Sequence, residues 1–454
     1  LWFERSESWE VIMYKYQNIQ GLLHEMLIEF LEHEQFPGLA VGIVKDNQVL
    51  FTGEYGTANI LTSEPVVRGT LFHQASVSKT FVSTAIMQLV ERSEVELDSP
   101  ITQYLSYFEM ADERYRNITI RQLMNHTSGM PDEEDYAWDR PEYDEQSLER
   151  YVKGISHHKL LSDPGEVFAY SNIGYEILGD VIAKVSGMRF EQYMKKNILE
   201  PTGMRSSSFL KQEVDAHLAT PHVLGTSSGY GGCISDIFPY NRAHGPSSTL
   251  YTNVEDMCQF LLMHQNCGIA GNGHEILQST SYNEMWKPHA KTGYGQENAQ
   301  IGLGWFLGEY KGSRVISHTG WDTGFLSNLY VLPDEKISIS VMTNCDYVWL
   351  ESVSFPILDL LLGSNIHQIK RSIAHKVAAI AVSDGVDQAM AEYHRIMRME
   401  QDKYYLMEYE FMRITEALTW SGDKEDAVRI LTCASTIFPN NSSISSRSQE
   451  LQGN

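Results

Sequence analysis

The 454-residue chain carries 35 basic and 59 acidic residues, a net charge of -24, with 42% hydrophobic and 21% charged residues. That composition is ordinary for a folded globular protein, and the length allows two or three domains. So acidic a chain repels phosphate backbones, which argues against general nucleic-acid binding. Five cysteines (Cys233, Cys258, Cys267, Cys345 and Cys433) are few and odd in number, without C-x-x-C or Cys/His metal spacing. Reduced thiols, no disulfide framework, no metal and no cofactor are expected. No apolar run reaches the roughly twenty residues of a membrane helix, so no membrane span is expected. The opening LWFERSESWEVIMYKYQ lacks a basic-then-apolar signal pattern. The compartment stays open: the missing signal pattern favours a cytoplasmic setting, and a processed form would favour an extracytoplasmic one.

In IQGLLHEMLIEFLEHEQ, Leu22, Leu23, Met26, Leu27, Phe30 and Leu31 recur at helical spacing, and Phe36-Pro37-Gly38 ends the helix. LAVGIVKDNQVLFTGEYG reads as a β-hairpin around Lys45-Asp46-Asn47. Residues 76–93 read as a buried helix with Phe81, Ala85, Ile86, Leu89 and Val90 along its apolar stripe. ITIRQLMNHTSGM reads as a short helix ending in a polar loop, and SNIGYEILGDVIAKVSG as a helix stopped at Gly187. NVEDMCQFLLMH is a capped helix. IGLGWFLGEY, RVISHTGWDTGFLSNLYVLP and KISISVMTNC read as three neighbouring strands. Ile337, Ile339 and Val341 alternate with Ser338, Ser340 and Met342, which suits an antiparallel sheet covered on at least one side. Strands at both ends of residues 20–362 with helices between them predict an α+β fold. Its antiparallel sheet is built from N- and C-terminal strands, with flanking helices and a helical lobe.

Residues 366–440 are almost all helical signal. Two amphipathic helices flank SGDKED, with Ala417 and Ala427 at close-packing positions and Phe438-Pro439 at the end, like one tetratricopeptide unit. A lone unit cannot bury its own face, so it is expected to pack on the preceding helix or the main domain, or to serve a protein partner or homo-oligomer. Residues 441–454 read as a polar, mobile tail.

Three short patterns carry the chemistry. In HQASVSKTF, Ser76 and Lys79 lie three apart at a helix start, on one helical face. The helix dipole there favours developing negative charge on Ser76. A lysine acts as a base only when neutral, so its pKa of about 10.4 must fall by roughly 3 units. A capping Ser beside a snorkelling Lys would look the same. Tyr170-Ser171-Asn172 offers a phenol to relay a proton and an amide to hold a substrate amide, or merely a helix cap. His318-Thr319-Gly320 offers a polar pair and an open backbone for strand-like ligand pairing, or merely a strand with a Gly bulge.

Taken in this order, the three patterns resemble the serine β-lactamase and penicillin-binding-protein superfamily, and most of all its class C β-lactamase-like branch. That branch holds D-Ala-D-Ala carboxypeptidase, D-aminopeptidase and esterase relatives. LFHQASVSKTF, QLMNHTSGMP, PGEVFAYSNIGYEILGDVIAKVSG, TNVEDMCQFL and SHTGWDTGFLSNLYVLP are similar to its blocks, over residues 20–360. The resemblance implies a β-lactamase/transpeptidase-like fold and a metal-independent serine hydrolase. It implies Ser76 as nucleophile, Lys79 as general base, alone or shared with Tyr170, Tyr170 as proton relay to the leaving group, and Asn172 as holding the acyl-side amide carbonyl. The backbone N–H groups of Ser76 and Trp321 would form the oxyanion hole, and His318, Thr319 and Gly320 would bind the substrate's carboxylate or leaving group.

Many β-lactamases carry Lys where this chain has His318, and H-T-G members are more often peptidases or esterases. A His cation is not guaranteed at pH 7. Cleavage of a peptide, amide or ester in a small-molecule or peptide substrate is therefore expected over β-lactam hydrolysis. If the His318 cation holds a substrate carboxylate, KM rises as pH climbs through its pKa. The alternatives are a β-lactamase, an acyltransferase at the same site, or a weakly catalytic scaffold. Gly225-Thr226-Ser227-Ser228-Gly229 matches the G-x-S-x-G elbow but lacks a following helix, so it reads as a loop near the site. His126 reads as a structural loop residue. Loops 130–150 and 220–247 would shape the pocket, and Asp132, Glu133, Glu134, Asp135, Tyr136 and Trp138 hint at a cationic or polar ligand or form a solvated face.

Overall fold

The computed structural model describes residues 9–34, 36–132, 135–227, 229–294, 299–364 and 369–452. Glu133, Glu134 and Ser228 lie outside the described residues, as do the opening residues 1–8.

Helix α1 (Trp9–His33) leads into strands β1 (Gly38–Lys45), β2 (Gln48–Asn59) and β3 (Glu64–Pro65). Helices α2 (Ser78–Glu91), α3 (Ile120–Met124), α4 (Asn172–Ser186) and α5 (Val254–Gln265) follow, among shorter turns. Strands β4 (Ala290–Lys291), β5 (Gln300–Ile301), β6 (Phe306–Tyr310), β7 (Ser313–Asp322), β8 (Phe325–Leu332) and β9 (Ile337–Thr343) complete the sheet. Among the described residues it is nine-stranded, in the order β3-β2-β1-β9-β8-β7-β6-β5-β4. The first and last parts of the segment meet at the β1–β9 seam, where Val41 pairs with Val341 antiparallel. This is the α+β arrangement expected from strands at both ends of the segment.

The segment RVISHTGWDTGFLSNLYVLP forms two strands, β7 and β8, rather than one. Gly324, at φ +72, lets the chain reverse between them. Every residue of β9 is buried, its serines included, because helices cover both faces of the sheet. On one face Phe81, Ile177 and Phe260, from α2, α4 and α5, join Ala40, Val331 and Met342 in one core. On the other, Val41, Ile339 and Val341 share a second core with Leu23, Leu27 and Phe30 of α1.

That second core runs on into the C-terminal helices α6 (Glu351–Leu361), α7 (Ile373–Ser383), α8 (Val386–Met399), α9 (Glu408–Trp420) and α10 (Lys424–Ile437). The helix pair α9–α10 thus buries its apolar face against α7 and, through it, the back of the sheet. The expected mobile tail is instead a helix, α11 (Ser442–Gln452), anchored by the fully buried Ile444. Polar composition concealed two apolar contacts, since the partly buried Leu451 packs against the same core as Ile444. No helix of the described residues is long and apolar enough to cross a membrane.

Candidate active site

Ser76 sits in a one-turn 3-10 segment, Ala75–Val77, that runs directly into α2. Ala75 holds a left-handed φ of +45, a conformation that costs a non-glycine residue about 1–3 kcal/mol. Its neighbours hold it there: Gln74 N–H donates to Leu250 O at 2.8 Å, and Gln74 O accepts from Ser327 Oγ at 2.7 Å. Lys79 is fully buried one turn on. Its Nζ donates to Ser76 Oγ at 3.0 Å and to Ser247 O at 2.9 Å. Burial lowers its pKa to about 8, against the upward pull of Glu176, Asp132 and Asp322. A useful fraction of neutral amine therefore exists near pH 7 to 8.

Tyr170 ends the loop before α4, with its hydroxyl buried. Lys79 Nζ stands 5.1 Å from the Tyr170 ring centroid. Burial pushes the phenol well above its ordinary pKa, although the nearby Ser76 hydroxyl works the other way. The phenol is thus held protonated, as a donor. His126 stacks on the Tyr170 ring with centroids 4.3 Å apart. Its Nδ1 accepts from Ser171 N–H at 3.2 Å, and burial, Lys79 and His318 keep it neutral. His126 is thereby a support for Tyr170.

Asn172 opens α4, where the Ser171 side chain caps the helix by accepting from Gly174 N–H at 3.2 Å. Asp132 accepts from Asn172 N–H at 2.7 Å and from the side-chain Nδ2 at 3.1 Å, and the Tyr136 hydroxyl also meets Nδ2. The carboxylate only accepts, so it fixes which side of the amide carries the NH2. The Oδ1 of Asn172 remains buried and unpartnered. The amide expected to donate to a substrate carbonyl is therefore presented as an acceptor.

His318, Thr319, Gly320 and Trp321 lie on β7. A Cβ on Gly320 would come within 2.3 Å of Gln74 O and 2.5 Å of Ser327 Oγ. Only glycine seats the Gly320–Trp321 peptide against the turn that carries Ser76. Thr319 is exposed and His318 buried. Burial and the Lys79 charge lower the His318 pKa to about 3. Its Nδ1–H donates to Thr319 O at 2.8 Å, which leaves Nε2 as a buried acceptor without a partner. Burial thus disfavours a His318 cation at neutral pH, the condition on which a rise of KM through a His318 titration depended.

Several residues of the site escaped the sequence reading. His73 Nε2 bonds Asp322 Oδ2 at 3.1 Å, and Asp322 Oδ1 accepts from Trp138 Nε1–H at 2.8 Å. Asp132, Ser247 O and the buried Glu176, bonded to His244 Nδ1 at 3.1 Å, complete the surround. Among them only Asp132 and Trp138, in the acidic loop, carried any signal. Ser227 lies between the paired strands His222–Gly225 and Gly231–Ile234. That is a hairpin, with no helix to form a nucleophile elbow.

The family model for Beta-lactamase matches residues 23–352. The chain belongs to the Beta-lactamase family. It is 28% identical over 321 residues to penicillin-binding protein 4 of Amycolatopsis lactamdurans, covering 68% of this chain and 81% of that one. It is 26% identical to the Beta-lactamase-like protein 2 of Dictyostelium discoideum, covering 69% of this chain but only 57% of that relative's length. The octameric penicillin-binding protein homologue from Pyrococcus abyssi superposes with a TM-score of 0.65 at 26% identity, covering 76% of this chain and 78% of that one. The family match ends before α7, so Arg413 and Trp420 lie beyond it.

Proposed function

We propose that this Beta-lactamase family member is a serine hydrolase that works through a Ser76 acyl-enzyme on amide or peptide bonds, and on esters. The observation that carries the reading is the 3.0 Å contact between Ser76 Oγ and a buried Lys79 whose pKa is lowered to about 8. Neutral Lys79 takes the Ser76 proton as Oγ attacks the substrate carbonyl carbon. The backbone N–H groups of Ser76 and Trp321 hold the oxyanion, where one donor is worth about 3 kcal/mol. The carbonyl re-forms as the bond to the leaving amine or alcohol breaks. Tyr170 donates its phenolic proton to that leaving group and regains one through Lys79. Water then attacks the acyl-enzyme along the reverse path.

The unpartnered Oδ1 of Asn172 favours a substrate with an acyl-side N–H, which it accepts. Thr319 and the neutral Nε2 of His318 bind the leaving-group side. Without a cation at His318, a β-lactam carboxylate lacks its expected partner, which supports amide or ester cleavage over strong penicillin hydrolysis. The test is a panel of nitrocefin, D-Ala-D-Ala peptides, D-amino-acid amides and short-chain esters against wild type and Ser76→Ala. Turnover of an amide or ester above nitrocefin, abolished in Ser76→Ala, is expected. Equal turnover by Ser76→Ala overturns the assignment.

A further inference from the structure

A cavity of about 600 Å³, within the range of small-molecule sites, is lined by Trp321 and Asp322 at the end of β7. Its walls include Tyr136, Trp138, Ile237, Trp321 and Trp420, with Arg413 behind them. Two aromatic pairs line it: Tyr136 stacks on Trp138 at 5.2 Å, and Trp321 on Trp420 at 6.4 Å. Trp420 is 71% exposed, Trp321 44% and Ile237 40%. Three large apolar side chains open to solvent around one cavity mark a binding surface.

Most polar groups at its border are hydrogen-bonded within the protein, while Asp346 Oδ1 and Arg413 Nε are buried without a hydrogen-bond partner. Arg413 lies over the Trp321 ring at 4.1 Å and donates to the main-chain oxygens of Asp346 and Val348. Asp322 binds His73 and Trp138. Asp135 and Asp139 both pair with Arg140. What the cavity offers a ligand is chiefly ring faces, which suit a flat aromatic group. Tyr136 bonds the Asn172 amide, whereas His318 does not line the cavity. The cavity thus opens on the Asn172 side of Ser76.

We propose that α9 completes the substrate site, and that Trp420 with Trp321 forms a slot for an uncharged aromatic group on the acyl side of the substrate. The proposal rests on the acyl-enzyme reading for the meaning of that side. The C-terminal helices then set substrate choice for a nucleophile held by the sheet and α2. Of the acidic loop's described carboxylates, Asp132 bonds Asn172 and Asp135 pairs with Arg140, so the cavity is taken as a site for an aromatic group rather than for a cation.

The test separates binding from chemistry. In a full-length Ser76→Ala background, calorimetry compares N-phenylacetyl-D-alanine amide with its N-acetyl analogue. The phenylacetyl compound is expected to bind at least about tenfold more tightly. Adding Trp420→Ala is expected to remove the difference, while Trp420→Phe keeps most of it and guards against a folding defect. No preference in the Ser76→Ala protein, absence of binding included, or a preference unchanged by Trp420→Ala, overturns the slot. Hydrolysis of the same two compounds by wild type tests the acyl-enzyme reading separately. Binding preference without Ser76-dependent hydrolysis sinks that reading and keeps the slot.

Discussion

His73 Nε2 and Asp322 Oδ2 stand 3.1 Å apart across 249 positions of chain. The bond ties the strand residue before Ser76 to the end of β7, just past the Trp321 backbone. The same carboxylate accepts from Trp138 and from Thr323 N–H, the latter at 3.1 Å. Asp322→Ala is expected to loosen β7 against the Ser76 turn and lower kcat ten- to about a hundredfold with the fold intact. Asp322→Asn, which keeps an acceptor, is expected to retain more. Steady-state kinetics beside a melting curve checks both, and an unchanged kcat in Asp322→Ala removes the positioning role.

Lys79 sets the pH dependence. Its neutral form grows about tenfold per pH unit below its pKa of about 8. The rate constant kcat/KM on an activated ester is expected to climb between pH 6 and 8 and level off above. Lys79→Arg, which stays charged, is expected to lose at least about a hundredfold. A flat profile from pH 6 to 8 would exclude Lys79 as the base.

Asp132 holds Asn172 by its backbone and side-chain N–H groups. Asp132→Ala frees the amide to turn. KM for an amide substrate is expected to rise about three- to tenfold, with a smaller effect on an acetate ester that has no acyl-side N–H. Equal changes on both substrates would show that Asp132 acts on the fold alone.

His318, with its pKa near 3, carries no charge from pH 5 to 8. KM for nitrocefin is expected to show no His318 titration over that range. His318→Lys supplies the missing cation and is expected to lower that KM several-fold. A wild-type KM that rises with a midpoint near 6.5 would contradict the buried, neutral imidazole.

The junction of α1 with α7 and α9 holds two buried carboxyls. Ser372 bridges two carboxyls: its N–H donates to Glu34 at 2.9 Å and its Oγ to Glu410 at 2.6 Å. Burial raises Glu34 to about 8 and Glu410 to about 7 from an ordinary 4.5. Folded values above the unfolded ones mean stability present below about pH 4.5 and lost as pH rises through 7 to 8. The melting temperature is expected to fall between pH 5 and 9, and Glu34→Gln to flatten that fall. An equal slope in the variant would place the titration elsewhere.

Ser76 and Lys79 were legible because their relation is local: i and i+3 on one helix start share a face whatever surrounds them. Tyr170 and His318-Thr319-Gly320 were legible as an ordered set, and the two-ended sheet from alternation in 337–342 and the apolar run at 39–44. The turn at Asp322–Gly324 was hidden inside one β-rich stretch, since a reversal needs only one left-handed glycine. Ile444 was hidden in a polar tail, since it and Leu451, seven positions on, are too sparse to stand out as an apolar stripe.

The sequence by itself determined the residue types, their order and the local geometry of the nucleophile. Only the tertiary structure decided their states. Burial lowers the Lys79 pKa, keeps the Tyr170 phenol protonated and disfavours charge on His318, because the cost of a buried charge depends on what closes around it. Folding alone turns Asn172 acceptor-side out through Asp132, and brings Trp420 to Trp321. Those partners come from distant segments, and no spacing along the chain encodes a contact that packing creates.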